Sequence, residues 1–330
     1  MQALYLSGDS VEHRRDYETP TPNEGEVLVK VVRAGVCETD LQLMQGYMGF
    51  AGVLGHEFVG VAQSGPLKGQ RVVGEINCSC GKCDTCRSGL PTHCPDRSVI
   101  GIMNHDGAFA DYVRVPQKNL HAVPDELPTD HAVFVEPVAA AYQILRQQLV
   151  SRRDRVLILG DGRLGNLCAQ VLSKVVGKVL VVGKHDSKMQ ILNDLGIRTV
   201  HLDDTALHDT ALHDAALHDA ALQRDWDVVV DCTGSATGLP TALKFVKPWG
   251  TVILKTTVAG EQTMALAPIV IDEIKVIGSR CGPFPDAIAG LTSGAVQVEP
   301  LISGRFALCD GVAALDHTAN EPVLKILLDV

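Results

Sequence analysis

Apolar and polar positions alternate through residues 26–33, EVLVKVVR, with β-branched residues on the apolar side, which predicts a half-buried strand. The run Pro20-Thr-Pro22-Asn-Glu-Gly25 supplies the turn before it. Similar short runs at 58–62, 71–73 and 110–115, parted by Gly and Pro, predict further strands. The chain up to about residue 125 therefore reads as a mainly β domain. Beyond Val123-Pro124 the pattern changes. Residues 129–149 predict helix interrupted at Glu136-Pro137, and 155–160 is a continuous apolar run of the kind found in a buried strand. Leu164, Leu167, Cys168, Val171, Leu172 and Val175 then fall on one stripe of a helix. Further apolar runs at 178–183, 226–231 and 250–255, with a helical crossover at 235–246, predict a parallel sheet covered on both faces.

Composition narrows the class. The chain has 330 residues, enough for two domains, with 46% hydrophobic and 21% charged residues, a globular balance rather than a disordered one. A formal net charge of −10 without a basic cluster argues against nucleic acid or anionic membrane as partner. The first 20 residues lack the pattern of a signal peptide and no apolar run is long enough to span a bilayer, so a cytoplasmic location is expected. Of ten Cys, those at 78, 80, 83, 86 and 94 crowd into one stretch, which points to metal rather than disulfides.

Three groups of residues carry chemistry. Cys37, in GVCETD, and His56, in GHEFVG, are good zinc ligands, and a catalytic zinc takes three protein ligands while leaving a position for water or substrate. Glu136, in the apolar run AVFVEPVAAA, is the candidate for the third, since burying its charge is costly unless a metal or partner neutralises it. Cys80, Cys83, Cys86 and Cys94 form the second group: short gaps let their thiolates close around one ion, which makes a structural zinc. Cys78 is surplus to that set. The third group is the loop Gly160-Asp-Gly162-Arg163-Leu164-Gly165 between an apolar strand and an amphipathic helix, where the backbone can approach a pyrophosphate at the helix N-terminus. The next strand ends on Gly183, where an NAD site usually has Asp or Glu. Lys184 and His185 follow, and cations beside an absent carboxylate suit the 2′-phosphate of NADP, so NADP is favoured over NAD.

These motifs resemble those of the zinc-dependent medium-chain alcohol dehydrogenases. The glutamate of FVEP resembles the polyol and threonine dehydrogenase branch. The resemblance implies an α/β fold, a Rossmann doubly wound parallel sheet at 138–279 with a discontinuous, mainly β GroES-like zinc domain at 1–137 and 280–330. It makes Cys37, His56 and Glu136 ligands of the catalytic zinc and places Glu57 beside the metal as an exchanging carboxylate. Thr39 becomes the start of a proton relay, Asp40 the carboxylate that orients the ligand histidine, and Lys325 a basic residue near the cofactor pyrophosphate. Two zinc ions per chain, NADP or NAD, an alcohol or carbonyl substrate and a homo-oligomer, dimer or tetramer, are implied as well. With zinc in one domain and a dinucleotide in the other, hydride transfer across the cleft between them is expected, and Tyr47, Met48, Phe50 and Phe284 are candidates for the substrate wall. The alternatives are a zinc-free enone or quinone reductase of the same superfamily, against which Cys37, His56 and the four cysteines argue, and a zinc- and nucleotide-binding protein without turnover.

One segment departs from the family pattern. Thr205-Ala-Leu-His-Asp209 is repeated with variation to Arg224. Its Ala and Leu favour helix. A five-residue period advances about 140° round a helix, so its histidines do not converge on one ion and a solvated helical tract is expected.

Overall fold

A computed structural model of the chain describes residues 1–202, 223–257 and 263–330. They form two compact units, Met1–Glu136 with Phe284–Gly294 and Val298–Val330, and Pro137–Pro283 with Ala295–Gln297.

The first unit is built on the strand Glu26–Gly35. Val27, Val29 and Val31 alternate inward and are buried while Lys30 and Val32 face solvent, as the pattern predicts. Each such valine contributes about 1.5–3 kcal/mol by leaving water. This strand pairs antiparallel with Glu57–Ala62, Tyr112–Pro116 and Lys325–Asp329, and the sheet extends through Arg71–Gly74 to Leu120–Ala122 on one side and to Ile302–Ala307 on the other. The strand expected at 110–115 starts at Tyr112. A hairpin of Ala3–Ser7 and Ser10–Arg14, which the apolar pattern did not single out, joins Gly52–Val53 in a small second sheet.

The second unit holds a six-stranded, wholly parallel sheet. Its order across the sheet is Arg198–His201, Lys178–Gly183, Arg155–Leu159, Trp226–Asp231, Val246–Leu254, Lys275–Gly278. That is the 3-2-1-4-5-6 order of a doubly wound dinucleotide fold, which reverses direction beside its first strand. Leu157, Leu180, Trp226, Val229 and Val252 are buried in one cluster of its core.

Two expectations need correcting. The helix Val135–Gln147 runs straight through Glu136-Pro137, because proline in a first turn has no intrahelical N–H to lose. The interruption falls earlier, between Thr129–Ala132 and that helix. The strand expected at 250–255 begins at Val246, where a register irregularity near Trp226 and Val228 lengthens the pairing. The pentapeptide tract, where a helix was expected, lies outside the described residues through position 222. Among the described residues no helix is long and apolar enough to cross a membrane.

Candidate metal centres and dinucleotide site

Strand register assembles the first site. Gly35 lies opposite Glu57 on one side and Leu327 on the other, so the end of this strand meets the start of Glu57–Ala62 and the middle of Lys325–Asp329. Cys37, just past the first strand, and His56, just before the second, are thereby neighbours. The candidate ligand atoms of Cys37, His56 and Glu57 lie within 4.8 Å of one another. Cys37 also caps the short helix Glu38–Met44, and that helix points Asp40 back at both ligands. The Asp40 Oδ2 atom accepts the Cys37 N–H at 2.8 Å, and Oδ1 lies 3.4 Å from His56 Nδ1. Holding Nδ1 leaves Nε2 as the atom for a metal. Burial disfavours a charged His56, but Asp40 and Cys37 outweigh it and raise the imidazole well above its ordinary value. Thr39 Oγ1 sits 3.8 Å from Cys37 Sγ, beside the cluster.

Glu57 and Lys325 are both fully buried and ion-paired, and the Lys325 ammonium also donates to Val36 O at 3.1 Å. It lies 5.6 Å from the centroid of the Phe134 ring. The structure pairs Lys325 with Glu57 within the first unit. Gly35 makes the room: a Cβ there would stand 2.7 Å from Val133 Cγ1 and 3.1 Å from Glu57 Oε2. Glu136 stands in the first turn of its helix, half-buried rather than enclosed, and is not a member of the donor cluster. Glu57 is the fully enclosed carboxylate here, and Lys325 answers its charge. Of the candidate wall residues, Met48 is exposed, while Phe284 is buried against His121 with ring centroids 5.3 Å apart.

The four-cysteine group has the geometry of a closed metal site. Cys80 and Cys94 sulfurs are 3.5 Å apart, Cys83 and Cys94 3.8 Å, Cys80 and Cys86 4.0 Å. Zinc–thiolate bonds of about 2.3 Å at tetrahedral angles put sulfurs about 3.8 Å apart. Backbone N–H groups of Lys82 and Cys83 lower the Cys80 thiol to about 6, so it is readily a thiolate. Cys78 is outside the group, and burial pushes its thiol up to about 11.

In the second unit, the glycine loop follows the strand Arg155–Leu159 and opens the helix Arg163–Ser173, which carries Arg163 and Leu164 in its first turn. Gly160 has φ +108°, and a Cβ on Gly165 would lie 2.0 Å from Gly160 O, so turn and helix packing both require glycine. No neighbour within 4 Å would meet a Cβ on Gly162. That open side suits close approach by a pyrophosphate at the helix N-terminus. Gly183 ends the second strand, followed by exposed Lys184 and His185. Sequence reasoning passed over Asp161, whose carboxylate accepts the N–H of both of those residues. It also passed over Lys255, a buried cation donating to Ala140 O at 2.6 Å and Ser279 Oγ at 3.3 Å. Neither carries a motif; each is defined by partners distant in sequence.

Comparison with known proteins follows this division. The alcohol dehydrogenase GroES-like domain matches residues 23–125, and the zinc-binding dehydrogenase domain matches 164–293. Sorbitol dehydrogenase of Halalkalibacterium halodurans is 28% identical over 99% of both chains. A protein of Sinorhizobium meliloti 1021 assigned as a zinc-binding dehydrogenase, solved with NADP, is 27% identical with a TM-score of 0.88, covering 100% of this chain and 99% of that one. The alcohol dehydrogenase RspB of Escherichia coli CFT073, solved with NADH, is 26% identical with a TM-score of 0.87 and the same coverage.

Proposed function

Because the chain belongs to the zinc-dependent medium-chain alcohol dehydrogenase family, we propose that it interconverts a secondary alcohol or polyol with its carbonyl compound, with NAD or NADP as hydride partner. Zinc supplies Lewis acidity toward the substrate oxygen and the nicotinamide ring supplies the hydride acceptor. Cys37 and His56 would hold that zinc, with Glu136, from the first turn of its helix, as the third ligand that the family resemblance implies. Asp40, 3.4 Å from His56 Nδ1, would orient that ring and leave Nε2 to bind the metal. Glu57, balanced by Lys325, stands beside the site as a carboxylate that exchanges with it. The Thr39 hydroxyl receives the alcohol's proton and passes it outward. Cys80, Cys83, Cys86 and Cys94 hold a second zinc that braces their loop. Gly160, Gly162, Arg163, Leu164 and Gly165 hold the pyrophosphate, with Gly183, Lys184 and His185 on the ribose side.

The observation that carries this reading is the convergence of Cys37, His56 and Glu57 donor atoms with Asp40 joining two of them. Glutamate in place of a second thiolate gives a harder metal site, which suits polyhydroxy substrates. Metal analysis tests the ligand set. The wild type should carry two zinc ions per chain, and Cys37→Ser and Glu136→Gln should each lose one together with activity. Full zinc and full activity in Glu136→Gln would remove Glu136 from the set. The reading extends to a cytoplasmic dimer or tetramer, and light scattering that returned a monomer would contradict the assembly.

A further inference from the structure

We propose that Asp161 of the glycine loop supplies the carboxylate that recognises the adenosine ribose, and so selects NAD over NADP. In a doubly wound dinucleotide domain the residue ending the second strand accepts a hydrogen bond from the ribose 2′-hydroxyl. Here that residue is Gly183, and its side-chain space is filled. A Cβ on Gly183 would lie 2.7 Å from Asp161 Cβ and 2.8 Å from Asp161 Oδ2. The carboxylate thus stands where a side chain from the strand end would, delivered from the neighbouring loop.

Its hydrogen bonds decide which ligand it favours. Asp161 Oδ2 accepts the N–H of Lys184 at 2.8 Å and of His185 at 2.7 Å. The His185 ring Nδ1 lies 3.1 Å from Oδ2 and 3.2 Å from Oδ1. Two backbone donors and an imidazole at the strand end would make a cradle for a 2′-phosphate, but an internal anion already occupies it. Of the two residues that suggested NADP in the sequence, His185 gives Asp161 both its N–H and its ring, while Lys184 gives its backbone N–H and is exposed. Asp161 is nearly buried, and burial alone would push its carboxyl up; the N–H donors of His185 and Lys184 outweigh that and hold it below the ordinary range. The group is therefore a carboxylate at neutral pH. A phosphate brought beside it meets like charge, whereas a hydroxyl donates to Oδ1.

The proposal rests on reading the glycine loop as a dinucleotide site, and binding measurements separate the two. Calorimetric titration of the full chain with NAD, NADP and 2′-deoxy-NAD should show NAD at least about tenfold tighter than either, the size of one hydrogen bond to a charged group. Asp161→Asn and Asp161→Ser should each narrow the NAD-to-NADP ratio by about tenfold or more. Equal or tighter binding of NADP by the wild type would overturn the proposal whether or not the variants fold, as would an unchanged ratio in folded variants. Binding of none of the three would overturn the dinucleotide reading itself, and the proposal with it.

Discussion

Lys325 is the residue whose role is most sharply defined by its surroundings. It is a fully buried cation whose partner, Glu57, is equally buried. Replacing one member of such a pair strands the other charge. Lys325→Met should therefore cost about 3–5 kcal/mol in denaturant unfolding of the zinc-loaded protein, with part recovered in the double variant with Glu57→Gln. An unchanged midpoint would mean that the pair contributes nothing. His105 gives a pH-dependent counterpart. It is nearly buried, and desolvation lowers its pKa below 6.5, with Nδ1 2.7 Å from Asp106 O. The folded state takes up this proton less readily than the unfolded chain. The stabilising contribution is therefore complete above the unfolded value near 6.5 and is lost as pH falls through the folded one. His105→Gln should flatten the decline of stability on the acid side of pH 6.5; an equally steep decline would contradict this. Cys37, His56 and the four clustered cysteines were legible in the sequence because ligand chemistry and spacing are local properties. The bond between Lys325 and Glu57 was not, since it spans 268 positions and only strand register brings it about.

At the scale of elements, the parallel sheet was readable because each of its buried strands is a continuous apolar run, and the glycine loop because its strand and helix flank it. The hairpin Ala3–Ser7 and Ser10–Arg14 was not, being short and half exposed along its second strand. The break in the 129–149 region was misplaced because proline was weighed as a helix breaker without regard to its position in the first turn. A bond between elements also escapes pattern reading. Lys255, just past the strand Val246–Leu254, ties the helix Val135–Gln147 through Ala140 O to the segment at Ser279 and Arg280. Lys255→Met removes that tie and leaves buried acceptors without their donor, which should lower stability by roughly 1.5–3 kcal/mol in urea unfolding. A change within a few tenths of a kcal/mol would show that the tie is dispensable.

For the molecule as a whole, the sequence states the two chemistries separately: a metal-ligand set in the mainly β unit and a glycine loop in the parallel one. The apolar pattern marks where the second begins, and the return of the chain to the first unit at Phe284–Gly294 and Val298–Val330 is implied by the family resemblance rather than by any local pattern. The substrate is equally non-local, because it is set by whichever side chains surround the zinc, and no spacing rule identifies them. Alcohol oxidation needs both sites in one chain. The most direct test is absorbance in the reduced-nicotinamide band, with zinc-loaded full chain, NAD and NADP in parallel, and a panel of secondary alcohols and polyols. At least one polyol or secondary alcohol should reduce the cofactor, and Cys37→Ser should abolish that reduction. Silence across the panel and in the reverse direction with the matching carbonyl compounds, from protein that holds two zinc ions and binds the cofactor, would contradict it.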